Sequence, residues 1–250
     1  MAVKKNTQKI LLALYSNSQE PPVVTPVDRL AVVVPDLSPS GFRSLIMFLE
    51  TKQLIYRQRV LSTVSVGITE EGRRVLTALF PALQTRWRQW QGNWMVLVFL
   101  KAPHSDPHFR YLRKLLLSEQ SIVFTRGVYL APDSFSPRII HECQSLYSKS
   151  VSLFSVEKWL MGLDRPQVIS YYDLTAKIES YSGISKEIDQ LLIKHTYKKG
   201  LNNQLKNNIS SLFDRLVDSL REDPGFSRFY FPGTPEVNKI ISGLQQLLIL

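Results

Sequence analysis

The sequence predicts an α+β chain in three parts: an N-terminal winged helix-turn-helix, a central ferredoxin-like βαββαβ domain and a mainly helical C-terminal domain. Three observations carry that expectation. A capped amphipathic helix beginning at Ser38 runs directly into two short strand patterns; strand and helix patterns then follow in the order βαββαβ from Trp94; and apolar residues recur every three or four positions through most of the last third. The predicted boundaries are 1–82 for the winged helix-turn-helix, 83–93 for a linker, 94–165 for the ferredoxin-like domain and 166–250 for the helical domain.

The stretch SPSGFRSLIMFLETKQLIYRQRVLSTVSVGITEEG, from Ser38 to Gly72, organises the first part. Ser38 can accept from an orphan amide of the first turn, and Pro39 suits the first helical position, where its missing N–H costs nothing. Phe42, Leu45, Ile46 and Leu49 fall on one face and predict a core contact, leaving Ser40, Arg43, Ser44 and Met47 toward solvent. LIYRQRV and VSVGI read as two strands around a turn at Ser62 and Thr63, and Thr69 caps the next helix. Upstream, Thr7–Tyr15 predicts a short helix with Ile10, Leu11 and Leu14 inward, SNSQEPPVVTP reads as loop, and VDRLAVVV is compatible with either a helix or a strand ended by Pro35.

Charge sharpens the expectation. The 250 residues carry a formal +10, and residues 1–90 hold 12 Lys or Arg against 6 Asp or Glu, while the rest hold 19 against 15. Positive charge concentrated on a small domain suits a polyanion, since each phosphate it neutralises releases condensed counterions. A helix in the recognition position enters the major groove with its N-terminal residues. The expected DNA-binding set is therefore Ser38, Ser40, Arg43 and Ser44 on that helix, with Lys52, Arg57 and Arg59 as backbone contacts from its end and the wing. Arg43, able to fork onto guanine, is the expected specificity determinant.

TRWRQWQ, Thr85–Gln91, interleaves tryptophan with arginine and fits either base stacking or a domain seam. From Trp94, WMVLVF is a buried-strand pattern; a helix follows from Pro107, then strands around Arg126-Gly127, a helix in SPRIIHECQSLYS and a last strand in VSLFSVEKW. In the last third, two amphipathic helices run through Leu174–Leu191 and Leu205–Leu220, and a final one follows Thr234-Pro235. Its apolar stripe requires cover from the chain itself or from another copy.

Several chemistries lack their residues. Cys143 is the single cysteine, which excludes a disulfide framework and fits a reducing, cytoplasmic setting. No secretory leader and no membrane-spanning run is read in the chain. HSDPH, His104–His108, reads as a turn with Asp106 as helix cap rather than a metal clip, and no phosphate-binding loop, dinucleotide fingerprint or nucleophile elbow occurs. No catalytic residue, metal site or cofactor is expected. Lys101, Arg126, Arg138 and Lys158 could offer positive charge to a ligand, but no ligand-binding residue is assigned.

The succession of these parts, with the WMVLVF strand, the GVYLAP strand of Gly127–Pro132 and the helical end carrying Asp223-Pro224 and Phe231-Pro232-Gly233, resembles the PaaX family of bacterial transcriptional regulators. That resemblance implies a winged-helix repressor binding palindromic operators as a homodimer. In members governing aromatic catabolism it implies release by an acyl-CoA thioester, a small-molecule effector. The central part also resembles the ferredoxin-like nuclease subunit of CRISPR adaptation, whose first strand ends in a metal-binding aspartate. The matching stretch here is Leu100, Lys101, Ala102, Pro103, so an ammonium stands at the acidic position, where it does not ligate Mg²⁺. This departure disfavours nuclease activity and keeps subfamily and ligand from being carried over. The expected function is a dimeric, sequence-specific repressor; the alternatives are a metal-dependent nuclease and a non-catalytic protein-interaction module.

Overall fold

The structure, a computed structural model, describes residues 4–16, 22–60, 62–101, 106–160, 165–195 and 202–249. It is α+β, with two small antiparallel sheets, and divides into two compact units: residues 1–85 with 174–250, and 86–173.

The first unit opens with α1 (Lys5–Ala13), β1 (Val24–Pro26), α2 (Val27–Leu30) continued by a 3₁₀ turn over Ala31–Val33, α3 (Pro39–Thr51), β2 (Ile55–Val60), β3 (Thr63–Ile68) and α4 (Glu70–Leu79). The ambiguous VDRLAVVV is thus helical. The expected loop before it contains a strand: Val24 pairs with Gly67 and Pro26 with Ser65, giving a sheet in the order β1-β3-β2. Three residues are too few for alternation to register in a sequence, and the proline is tolerated because β1 is an edge. The β2–β3 ladder runs from Ile55↔Ile68 to Val60↔Thr63, so Thr63, expected in the turn, begins the strand.

The second unit holds α5 (Arg86–Gln89), β4 (Trp94–Phe99), α6 (Pro107–Ser118), β5 (Ile122–Thr125), β6 (Val128–Pro132), α7 (Pro137–Tyr147), β7 (Val151–Val156) and α8 (Arg165–Tyr171). Its sheet has the order β5-β6-β4-β7 with every pairing antiparallel. Gly127 turns β5 into β6 at φ 77°, a left-handed conformation glycine adopts without strain. Leu97, Phe99 and Tyr129 from the sheet pack with Phe109, Leu112 and Leu116 of α6 and Ile139, Cys143 and Tyr147 of α7. Phe99 meets Phe109 and Tyr147 edge to face, with centroids 5.1 and 5.6 Å apart.

The chain then returns to the first unit with α9 (Leu174–His195), α10 (Asn203–Glu222), α11 (Ser227–Tyr230) and α12 (Val237–Ile249). One apolar core takes in Ile10, Leu14, Leu30, Ile46, Leu49 and Leu76 from the front of the chain and Ile184, Ile209, Phe213, Leu216, Leu244 and Leu248 from its end. The sequence division at residues 82 and 166 therefore follows changes of pattern, while the core joins 1–82 to most of 166–250. Three of the eight positions that follow Thr7 in α1 and its end were expected inward, yet every residue from Thr7 to Ser16 is buried. The polar ones are answered from behind. Lys9 bonds Ser210 and Asp214, Arg221 donates to Gln8, and Gln245 of α12 donates to the carbonyls of Ala13 and Tyr15 at 3.1 and 2.7 Å, satisfying groups the helix end leaves open. Among the described residues no helix is long and apolar enough to cross a membrane.

Candidate nucleic-acid interface

Helix α3 forms as its sequence dictates. Ser38 Oγ accepts from the Gly41 amide at 3.2 Å, Pro39 occupies the first turn, and Phe42, Ile46 and Leu49 are buried. A Cβ at position 41 would approach Ser38 Oγ to 3.3 Å, so glycine leaves the cap room. The opposite face carries Ser40, Arg43, Ser44, Met47 and Phe48 in the open, with Met47 63% exposed. Spacing of three and four places Ser40, Arg43, Ser44 and Met47 along one stripe beginning at the helix N-terminus. Ser38 and Ser40 hydroxyls lie 3.1 Å apart.

The turn from α3 to β2 is held tightly. Gln53 has φ 55°, Leu54 N donates to Leu49 O, and Thr69 both donates its hydroxyl to Gln53 O and caps α4 through Gly72 N at 3.0 Å. Gly72 is required by this approach: a Cβ there would lie 2.1 Å from the Leu54 carbonyl oxygen. In the hairpin, Arg57 and Arg59 share a face, opposite Val66 and Val64.

The predicted site residues then separate. Ser40, Arg43, Ser44, Lys52 and Arg59 are exposed, and among the described residues Arg43, Lys52 and Arg59 form no ion pair. Arg57 differs, because its guanidinium forks onto Glu50 in the last turn of α3, with both N···O distances 2.9 Å. Ser38 is committed to its cap. Glu50 was not singled out by sequence reasoning; its spacing to Arg57 crosses a turn, so no helical or strand period links the two.

The basic excess of the first third is also partly answered inside the protein. Lys5 and Lys9 pair with Asp214 and Asp218 of α10, and hydrogen bonds to these carboxylates raise the Lys5 pKa against the opposing effect of burial. On α4, Arg73 pairs with Glu70 and Arg74 with Glu71, whose carboxyl is held below its ordinary value by the Arg74 hydrogen bonds. Among the described basic residues of this part, Arg43, Lys52 and Arg59 form no ion pair and lie on α3, its end and the hairpin, while Lys4 and Arg29, which also form none, lie elsewhere.

Elsewhere, several chemistry-bearing residues are engaged in packing or caps. Trp87, Trp90 and Trp94 stack edge to face in series at 5.9 Å, with Arg86 4.3 Å over the Trp87 ring; Trp90 and Trp94 are buried, which spends them on packing rather than on bases. Asp106 caps α6 through His108 N and accepts from the Tyr147 hydroxyl at 2.5 Å, which lowers the Asp106 pKa. Burial pushes the Cys143 thiol up to about 11, far from a nucleophile's range. Arg138 donates to Tyr111 at 2.6 Å. Lys101 is exposed just after β4, while His104 of the HSDPH turn lies outside the described residues. Among the described residues no group of three His, Cys, Asp or Glu side chains is placed to hold a metal ion.

No family model and no curated protein matches the chain. Among solved structures it is similar to the uncharacterized protein Rv0674 from Mycobacterium tuberculosis, at 14% identity and a TM-score of 0.43, with 96% of this chain and 97% of that one covered.

Proposed function

We propose that this chain is a sequence-specific, DNA-binding transcriptional regulator of the PaaX kind, acting in the bacterial cytoplasm as a dimeric repressor whose grip on DNA is relieved by a small-molecule effector. The observation that carries the reading is the open face of α3: Ser40, Arg43 and Ser44 project from its first two turns, and the adjoining hairpin offers Arg59. The element order α1, β1, α2, α3, β2, β3 with a β1-β3-β2 sheet supports a winged helix-turn-helix, in which α3 takes the recognition position. The βαββαβ succession with strand order β5-β6-β4-β7 supports a ferredoxin-like second unit.

In this reading, Arg43 forks onto a base edge in the major groove, with Ser40 and Ser44 bonding beside it. Lys52 and Arg59 neutralise phosphates on either side and set the register without reading sequence. Arg57 braces the hairpin against α3 through Glu50, so its share of phosphate binding is smaller than that of Arg59.

An electrophoretic shift on DNA from the chain's own upstream region, titrated with salt, tests the reading. A specific operator is expected to outcompete random duplex by at least about a thousandfold, with affinity falling steeply as salt rises. Equal binding of every duplex, or none, contradicts it.

A further inference from the structure

Two large apolar side chains stand open on α3. Met47 is 63% exposed and Phe48 39%, although the core face of the helix is already filled by Phe42, Ile46 and Leu49, with Leu45 packed against the same core. Scattered apolar residues are ordinary on a protein surface, so exposure alone assigns nothing. The neighbours of Met47 add the rest.

The open stripe of α3 changes character along its length. Ser40, Arg43, Ser44 and Met47 follow one another at i, i+3, i+4 and i+7, the spacing by which a helix lying in the major groove presents side chains to successive base edges. The first three bring hydroxyls and a guanidinium, which bond polar atoms. Farther along, the polar side chains are committed within the helix and its turn: Thr51 donates its hydroxyl back to Met47 O at 2.9 Å, and Glu50 holds Arg57. Between Ser44 and Lys52 the exposed side chains left without such a bond are Met47 and Phe48, and both are apolar.

We infer that Met47 selects a thymine, by closing on the 5-methyl group that this base places in the major groove. Base edges in that groove otherwise present donors and acceptors, and the methyl is the apolar mark that distinguishes a T·A pair. The unbranched thioether chain of methionine, with its three rotatable bonds, moulds itself to a small apolar surface of this kind. Four residues of helix separate Arg43 from Met47, a rise of about 6 Å. Base pairs stack about 3.4 Å apart, which sets the thymine about two steps from the pair that Arg43 contacts. The inference rests on the proposed function, which supplies the duplex, and adds to it a base that no polar side chain of α3 selects.

Deoxyuridine differs from thymidine by the missing 5-methyl alone, so it isolates the contact. In the duplex that the parent chain selects from a randomised pool, each thymine is exchanged for deoxyuridine in turn, in both half-sites, and binding is followed by fluorescence anisotropy. Exchange about two steps from the pair whose preference Arg43→Ala relaxes is expected to weaken binding by the parent at least about fourfold, the worth of one buried methyl. Met47→Ala is expected to bind the thymine and deoxyuridine duplexes alike, with a circular dichroism spectrum and melting temperature unchanged from the parent's because position 47 lies outside the core. A parent chain indifferent to exchange there, or a Met47→Ala variant that still distinguishes the two duplexes as the parent does, overturns the inference and leaves a selective regulator in place. A chain that selects no duplex overturns the inference and the proposed function together.

Discussion

Arg57 of β2 and Glu50 of α3 are joined by two parallel N–H···O bonds, both 2.9 Å, across the turn that separates helix from hairpin. The pair fixes where the hairpin stands beside the exposed face of α3 and cancels one of the two arginines on that strand face. Glu50→Gln is expected to free the Arg57 charge and to tighten binding to all duplexes alike, steepening the salt dependence by about one unit of slope. Fluorescence anisotropy across a salt series measures it; an unchanged slope shows that Arg57 does not face DNA.

Arg43→Ala and Arg59→Ala are expected to differ in kind. The first should cost about 1–3 kcal/mol on the preferred sequence and relax preference at one base step, whereas the second should weaken all sequences and flatten the salt slope by about one. Competition between operator and random duplex for each variant distinguishes the two effects.

Lys9 is 2% exposed, with its ammonium 3.0 Å from Asp214 and 3.1 Å from Ser210 Oγ. Lys9→Ala removes both the stem and the charge and is expected to cost about 2–4 kcal/mol. Lys9→Met keeps the stem, and Asp214 keeps Lys5 at 3.2 Å, so its cost should stay under about 1.5 kcal/mol. Urea midpoints of the two variants show whether packing or charge holds α1 against α10.

Because α1 is wrapped by α10 and α12, residues 1–85 expressed alone are expected to lack a cooperative unfolding transition. Without Phe213, Leu216 and Leu244 the core they share with Ile10 and Leu14 lies open to water. Circular dichroism through a urea titration checks this, and a cooperative transition in the fragment would show that the headpiece folds by itself.

Tyr181 is buried and donates to Asp223 at 2.8 Å; burial, with the carboxylate beside it, raises its pKa well above the ordinary 10.0. With the folded value above the unfolded one, the stability this contact gives is full below about pH 10 and is lost as pH climbs through the folded value. Tyr181→Phe is expected to cost about 1–3 kcal/mol at pH 7, since Asp223 loses a buried donor, and to make stability fall less steeply above pH 10. Thermal melts from pH 7 to 11 read both effects.

Local signals made α3 legible: a serine cap, a proline in the first turn and an apolar face at helical spacing all agree, and Phe42, Ile46 and Leu49 are buried as they require. β1 was not legible, because Val24 and Thr25 beside prolines carry no periodicity and pair only through the distant Gly67 and Val66. Nor was the burial of Lys9 and Gln8, since their partners Asp214 and Arg221 lie more than two hundred residues along the chain. Within the candidate interface, the sequence marked which side of α3 is open, while the neutralisation of Arg57 depends on a turn geometry that Gln53, at φ 55°, sets in three dimensions.

Selection of bound molecules from a pool of randomised duplexes, followed by titration of the recovered sequence against the parent chain and an Arg43→Ala/Arg59→Ala variant, tests the α3 interface most directly. The account predicts recovery of a two-fold symmetric sequence with half-sites about one helical turn apart, bound steeply with salt by the parent chain and at least about a hundredfold more weakly by the variant. No enriched sequence, or equal binding by parent and variant, would contradict it.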